Sequence, residues 1–269
     1  MENTFWFKQS ASKPLFEDLL WSRPERRQQA GKLLIIGGNR HSFAAPAAAF
    51  AAATQAGIGT ALVLLPDVLR KTVGAALVEA DFAPTNLSGS FGRSALDQFL
   101  QQAAGADGVL LAGDLGRNSE TAILLDSFLG KYRGQVTLAQ DALDYFLNTG
   151  SSALGRPKTT LVINLGKLQK LAKNNQPSLL IQHSMSTYEL VQKLSDWSQT
   201  SNTNFITKHE DNFVVAVGGK VSTTAYKKEA SWQVDLPAYN ATWLIQQPKK
   251  AFEALTTAAF AYQKANTSG

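Results

Sequence analysis

Several residue classes are scarce in this chain of 269 residues, and each scarcity excludes a class of site. There is no cysteine, which excludes disulfide frameworks and thiolate metal sites. Histidine occurs only as His41, His183 and His209, so a histidine-based zinc site is not expected and no metal ligands are assigned. Neither a run of about 18 apolar residues nor a signal-peptide pattern is found, which predicts a cytoplasmic protein without a membrane partner.

Charged residues are also few, at 17% of the chain, and the net charge is +5. This mild basic balance suits a phosphate-bearing small molecule better than a long nucleic acid. Trp197, Trp232 and Trp243 have no basic stripe between them, so we interpret them as packing residues. Nucleic acid is therefore not an expected partner.

Hydrophobic residues make up 44% of the chain, enough for one large α/β domain. We expect a single domain over residues 1–269, with residues 1–31 as a lead-in, because no repeat and no long linker interrupts the pattern. Apolar strands alternate with helical segments, and this predicts a three-layer α/β/α sandwich around a mainly parallel sheet. Near the end, residues 220–225 and 231–234 predict a hairpin, and residues 238–246 and 249–263 predict two closing helices.

The segment Lys32–Pro66 carries the clearest pattern, which is strand, glycine turn, helix and strand. Gly37 and Gly38 follow an apolar run and allow a sharp turn with close backbone approach. Free N–H groups at the start of the next helix could hold an anion. The alternative is an ordinary βαβ crossover in which the glycines serve packing alone, and the sequence leaves both open.

In an open parallel sheet, ligands bind beyond the carboxyl ends of the strands. The turn after residues 108–112 contains Asp114, which we interpret as a cap for the following helix. His41 lies in the turn after Gly38, and we interpret it as a solvated side chain.

Three of these turns carry a family resemblance. The segment GKLLIIGGNRHSFAAPAAAFAAATQAGIGTALV resembles a strand ending in Gly-Gly-Ser, then Tyr-Thr-Gly-Ala-Pro, then a helix ending in Ala-Gly-x-Gly. Residues 112–117, AGDLGR, are similar to Gly-Pro-Gly-Leu-Gly-Arg, and residues 139–143, AQDAL, are similar to Asp-Ala-Asp-Ala-Leu. In this order the motifs resemble those of the ADP/ATP-dependent NAD(P)H-hydrate dehydratase family, over about residues 22–264.

The resemblance implies a ribokinase-like fold, a nucleotide ligand (ADP or ATP with Mg²⁺), and a lyase that repairs hydrated NADH or NADPH. It also implies a set of site residues. The substrate-binding positions are Gly38, Asn39, Ala45, Asn164 and Lys167. The nucleotide-binding positions are Lys208, Gly116 and Arg117.

The departures from the family pattern lie where chemistry would occur. Asn164 and Lys167 stand where the family has histidine and glutamate, so a cation here could attract a phosphate or a carboxylate. The catalytic Gly-Thr-Gly-Asp is best matched by Pro237–Asn240, just before the penultimate helix, with Asn240 at the catalytic aspartate. A neutral amide cannot act as a carboxylate base, and proline has no N–H to donate.

Two functions therefore remain open. The sequence favours a divergent, nucleotide-binding relative that is catalytically impaired, a pseudoenzyme. The alternative is an active dehydratase with a rearranged site, in which Asp235 replaces the missing carboxylate.

The family resemblance also suggests an oligomer built from the N-terminal region. Phe5, Trp6, Phe7 and Trp21 suit such an interface, or else pack on their own domain.

Overall fold

The computed structural model describes residues 5–73, 77–147, 151–227 and 232–267. Within these ranges one sheet of ten strands forms the centre of the molecule. The strands are β1 (Trp6–Gln9), β2 (Lys32–Gly37), β3 (Thr60–Pro66), β4 (Ala80–Ala83), β5 (Gly108–Gly113), β6 (Gln135–Leu138), β7 (Thr159–Val162), β8 (Thr203–His209), β9 (Asn212–Val217) and β10 (Lys220–Ala225).

The strand order across the sheet is β1-β10-β9-β8-β7-β6-β5-β2-β3-β4. Every neighbouring pair is parallel except the two pairs that include β9. The strands β2 to β8 therefore end at one common edge of the sheet. The mainly parallel sheet predicted from the sequence is confirmed.

The helices cover both faces of the sheet. Those in the described ranges are α1 (Glu17–Trp21), α2 (Ala44–Gln55), α3 (Arg70–Val73), α4 (Leu96–Ala104), α5 (Ser119–Lys131), α6 (Asp144–Leu147), α7 (Ser151–Leu154), α8 (Leu165–Asn175), α9 (Thr187–Thr200), α10 (Trp232–Gln246) and α11 (Ala251–Thr267). Short 3₁₀ turns occupy Arg27–Gln29, Asp67–Leu69, Arg93–Ala95 and Gln140–Leu143.

Two apolar cores fill the layers, one on each face. On one face α4, α5, α8 and α9 pack against residues such as Leu34, Val109 and Leu161. On the other face α2, α10 and α11 pack against Leu33, Ile35 and neighbouring side chains. Leu33 and Ile35 are buried on one side of β2, and Leu34 and Ile36 are buried on the other. Burial on both sides explains the continuous apolar sequence of this strand.

The sequence placed several elements wrongly. The lead-in contains the edge strand β1, which pairs in parallel with β10, and the sequence did not predict the strand β4. The predicted hairpin partner at residues 231–234 is also wrong, because β10 pairs with β9 and Trp232–Val234 lie in α10. Residue 231 lies outside the described ranges.

The start of α10 matters most for function. The helix begins at Trp232 and contains Pro237, whereas the sequence predicted a start after this proline. Trp232, Leu236, Tyr239 and Trp243 are all buried, at a spacing that forms one helical stripe across the proline. Burial of this stripe outweighs the unfavourable effect of proline inside a helix.

Candidate active site

The turn after β5 meets the start of α2 through one carboxylate. Asp114 Oδ2 accepts a hydrogen bond from the Ser42 hydroxyl and one from the Ala45 backbone N–H, each at 2.8 Å. The first turn of α2 is therefore capped by a carboxylate of the same chain. The expectation that Asp114 caps the helix that follows it in the sequence is wrong. That helix, α5, is capped by Asn118, whose side chain accepts a hydrogen bond from the Glu120 N–H.

The glycine turn after β2 is packed tightly against the same segment. A Cβ on Gly37 would lie 2.5 Å from the carbonyl oxygen of Gly113, and Gly38 has a φ of +95°. The Gly38 N–H donates to that same carbonyl at 3.0 Å. Asn39 donates from Nδ2 to the Asp114 carbonyl at 2.6 Å. The glycines are thus required for close approach of two strand ends.

Asp141 lies beside this turn, at the end of β6. Its Oδ2 accepts a hydrogen bond from the Gly116 N–H at 3.1 Å. Burial raises the pKa of Asp141, and the Asp114 carboxylate acts in the same direction, while the backbone N–H groups of Leu115 and Gly116 oppose the shift. Two carboxylates, those of Asp114 and Asp141, therefore lie close to the turn after β5.

Lys167 is engaged within the protein. Its Nζ lies 2.7 Å from an Asp144 carboxylate oxygen and also donates to the Gln140 carbonyl at 2.7 Å. The sequence predicted that a cation at this position could attract a ligand anion, but the structure shows that Asp144 already neutralises it. Asn164 caps α8, because its Oδ1 accepts a hydrogen bond from the Lys167 N–H at 2.9 Å.

The first turn of α10 reaches the end of β7. Asn164 donates from Nδ2 to the Gln233 side-chain oxygen at 3.1 Å. Asp235 lies in the same first turn and is half-buried, and this burial raises its pKa. A half-buried carboxylate with a raised pKa in the first turn of a helix is a candidate functional group.

Asn240 lies elsewhere. It is fully buried in the interior of α10, and its side-chain atoms make no hydrogen bond with any described residue. The expectation that Pro237–Asn240 open the helix is therefore wrong. Asp235, which the sequence offered as a substitute, is the carboxylate near the start of α10.

Lys208 lies near this helix start on the same face of the sheet. It is paired across the β8–β9 ladder with Phe213, whose ring centroid lies 5.8 Å from that of Trp232. Residues 228–231, which immediately precede α10, lie outside the described ranges.

Gly116 and Arg117 line a separate cavity of about 430 Å³. Its other lining residues are Asn118, Ser119, Asp141, Asp144, Tyr145, Leu147 and Lys170. Lys208 is not among them, and β6 and β7 lie between β5 and β8 in the sheet. The three residues predicted to bind one nucleotide are therefore spread over two parts of the carboxyl edge. His41 is an exposed side chain.

Among the described residues, no group of three or more histidine, aspartate or glutamate side chains could hold a metal ion. No helix in the described part of the chain is long and apolar enough to cross a membrane.

Curated sequences show a local resemblance. The chain is 36% identical over 93 residues to the bifunctional NAD(P)H-hydrate repair enzyme Nnr of Methanothermobacter thermautotrophicus, which covers 34% of this chain and 18% of that protein. It is 32% identical over 116 residues to the enzyme of the same name from Methanocaldococcus jannaschii, covering 43% of this chain and 23% of that protein. The match thus spans less than a quarter of either relative, and no family model matches the chain.

Solved structures extend the resemblance to the whole fold. A ribokinase-like superfamily protein from Enterococcus faecalis V583 superimposes with a TM-score of 0.71 at 15% identity, covering 100% of this chain and 90% of that one. The ADP/ATP-dependent NAD(P)H-hydrate dehydratase from Bacillus subtilis, co-crystallised with ATP/Mg²⁺, superimposes with a TM-score of 0.66 at 14% identity. The superposition covers 95% of this chain and 89% of that one. The ribokinase-like fold and the resemblance to this family are confirmed.

Proposed function

We propose that the protein binds ADP or ATP with Mg²⁺ and dehydrates hydrated NADH or NADPH, with Asp235 as the general base. The single observation that carries this proposal is the position of Asp235 in the first turn of α10, where burial raises its pKa. The names of the relatives supply the reaction class.

Two features of this helix start would favour a phosphate chain. Lys208 supplies a positive charge on the same face, and the first N–H groups of α10 point toward its N-terminus. Because the described residues hold no cluster of metal ligands, Mg²⁺ is expected to arrive bound to the phosphates of the nucleotide.

In this reaction the substrate hydroxyl oxygen would attack the terminal phosphorus of the nucleotide, and the bond from that phosphorus to the bridging oxygen would break and release AMP from ADP or ADP from ATP. The phosphate ester formed would then lose phosphate and a ring proton, which restores the dihydronicotinamide. Asp235 accepts the proton that this hydroxyl loses as its oxygen attacks phosphorus. Burial raises the pKa of Asp235, which makes its carboxylate a stronger proton acceptor than that of an ordinary aspartate. Asn164 holds the first turn of α10 in place through Gln233.

A second candidate is a nucleotide-binding protein without turnover. If Asp235 matches the family aspartate, then Trp232, Gln233 and Val234 stand where the family has Gly-Thr-Gly. These side chains restrict the close backbone approach that an anion hole requires. The pairing of Lys167 with Asp144 favours the same candidate, because it removes a cation from the ligand.

Two measurements separate the candidates. Recovery of NADH absorbance from hydrated NADH, in the presence of ADP or ATP and Mg²⁺, tests turnover. A thermal-shift titration with the same nucleotides tests binding, since a ligand at 100 times its dissociation constant adds about 2.7 kcal/mol of stability. Turnover supports the first candidate, a shift without turnover supports the second, and the absence of both rejects the two.

A further inference from the structure

The N-terminus of α2 is the place where this fold's glycine turn presents free amides. The helix has 12 residues, and its dipole favours an anion at the first turn. In this chain the anion is Asp114, whose Oδ2 accepts from both the Ser42 hydroxyl and the Ala45 N–H at 2.8 Å. The positive end of the α2 dipole is therefore already neutralised by Asp114.

The backbone holds Asp114 in this position from two further directions. Its φ is +57°, a left-handed conformation that few side chains adopt. Its carbonyl accepts the 2.6 Å hydrogen bond from Asn39, and the preceding Gly113 carbonyl accepts from the Gly38 N–H at 3.0 Å. The residue aligned with Asp114 in the family motif is glycine, which suits this conformation but has no carboxylate.

The surrounding charges reinforce the effect. Asp141 lies close enough for the Asp114 charge to contribute to raising its pKa, after the effect of burial. Lys167, whose charge also acts on Asp141, is paired with Asp144 at 2.7 Å. A phosphate group over the first turn of α2 would face carboxylates rather than free N–H groups.

We propose that Asp114 determines ligand specificity by occupying the anion position at the start of α2. Phosphate groups are excluded from this turn, and the part of any ligand that lies over it is uncharged or cationic. The phosphates of the nucleotide and of the dinucleotide are then confined to the part of the carboxyl edge of the sheet that lies beside the start of α10. This last step rests on the proposed function, whereas occupation of the helix start by Asp114 does not.

The backbone N–H of Ala45 reports on this position directly. We would titrate ¹⁵N-labelled protein with inorganic phosphate and follow the amide resonance of Ala45. Asp114→Gly removes the carboxylate and relieves the left-handed strain, while Asp114→Asn keeps an oxygen that can accept both hydrogen bonds. Asp97→Asn is the control, because Asp97 is exposed on α4 and its loss changes the net charge by the same amount.

In the wild type and in Asp97→Asn, phosphate should leave the Ala45 amide unchanged. In Asp114→Gly the same resonance should shift saturably, with a phosphate affinity at least about tenfold above the upper limit that the wild-type titration sets, because a carboxylate no longer competes for the N–H. Asp114→Asn should show a smaller gain. The proposal is overturned if the wild-type resonance responds as strongly as that of Asp114→Gly, or if neither Asp114 variant gains affinity. Because this titration requires no turnover, its outcome is independent of the dehydratase assay.

Discussion

Asn164 donates a hydrogen bond from Nδ2 to the side-chain oxygen of Gln233 at 3.1 Å, and this contact joins the end of β7 to the start of α10. The same asparagine caps α8 through its Oδ1. One side chain therefore positions two helix starts at the carboxyl edge of the sheet.

The two roles of Asn164 can be separated by mutation. Asn164→Ala removes both the cap and the bridge, and we expect it to lower the free energy of unfolding by about 1–2 kcal/mol. Gln233→Ala removes only the bridge and should lower the free energy of unfolding by about 0.5–1 kcal/mol. Urea denaturation of both variants and of the double variant measures the coupling. Strictly additive losses would show that the bridge contributes nothing.

The pKa of Asp235 predicts how stability depends on pH. Because burial raises this pKa in the folded protein, the folded state keeps the proton to a higher pH than the unfolded chain. The stability associated with this proton is complete below the unfolded pKa, near 3.9, and is lost as the pH rises through the folded value. Asp235→Asn removes this loss, since its side chain stays neutral.

The free energy of unfolding of Asp235→Asn, relative to that of wild type, should therefore rise with pH between the unfolded and the folded pKa of Asp235 and then become constant. Urea denaturation at a series of pH values measures it, with Asp97→Asn as the exposed control. A difference between Asp235→Asn and wild type that does not change with pH would contradict the burial of this carboxylate.

Gly37 should tolerate no side chain. A Cβ there would lie 2.5 Å from the Gly113 carbonyl oxygen, so β2 and β5 would have to separate. We expect Gly37→Ala to cost about 1–3 kcal/mol of unfolding free energy. Gly130→Ala is the matched control, because a Cβ on Gly130 meets nothing within 4 Å, and it should stabilise α5 by about 0.5–1 kcal/mol. Equal effects of the two substitutions would refute the packing argument.

Arg156 should be important for stability although it lies in no helix or strand. Its guanidinium is buried and donates to the carbonyls of Tyr132, Gly134 and Pro157 and to the hydroxyl of Thr159. Arg156→Met fills similar volume but leaves these acceptors unpaired, and should lower the unfolding free energy by about 3 kcal/mol or more. A loss below about 1 kcal/mol in urea denaturation would show that water replaces the guanidinium at little cost.

Sequence periodicity predicted the layers because the strand and helix patterns are local. The apolar run of β2, the glycine turn and the alanine-rich α2 are adjacent in the chain, so their order alone implies the crossover. The edge strands β1 and β4 were missed because each is only four residues long and depends on pairing with distant strands.

The candidate site was harder to predict, because its contacts join distant segments. Asp114 caps α2 across 69 residues, and Lys167 is neutralised by Asp144 across a strand and a helix. The start of α10 was misplaced because Pro237 argued locally against a helix, whereas buried side chains on both sides of it decide the outcome. Asn240 lies in the buried interior of α10 and not at its start, so its neutral side chain is no evidence for catalytic impairment.

The measurement that tests this account most directly is NADH recovery from hydrated NADH with ADP or ATP and Mg²⁺, compared among wild type, Asp235→Asn and Asn240→Ala. We expect turnover in wild type, a loss of about 100-fold or more in Asp235→Asn, and a rate per folded molecule close to wild type in Asn240→Ala. Asp235→Asn with an undiminished rate, or wild type without turnover at saturating nucleotide, would contradict the assignment of Asp235 as the base.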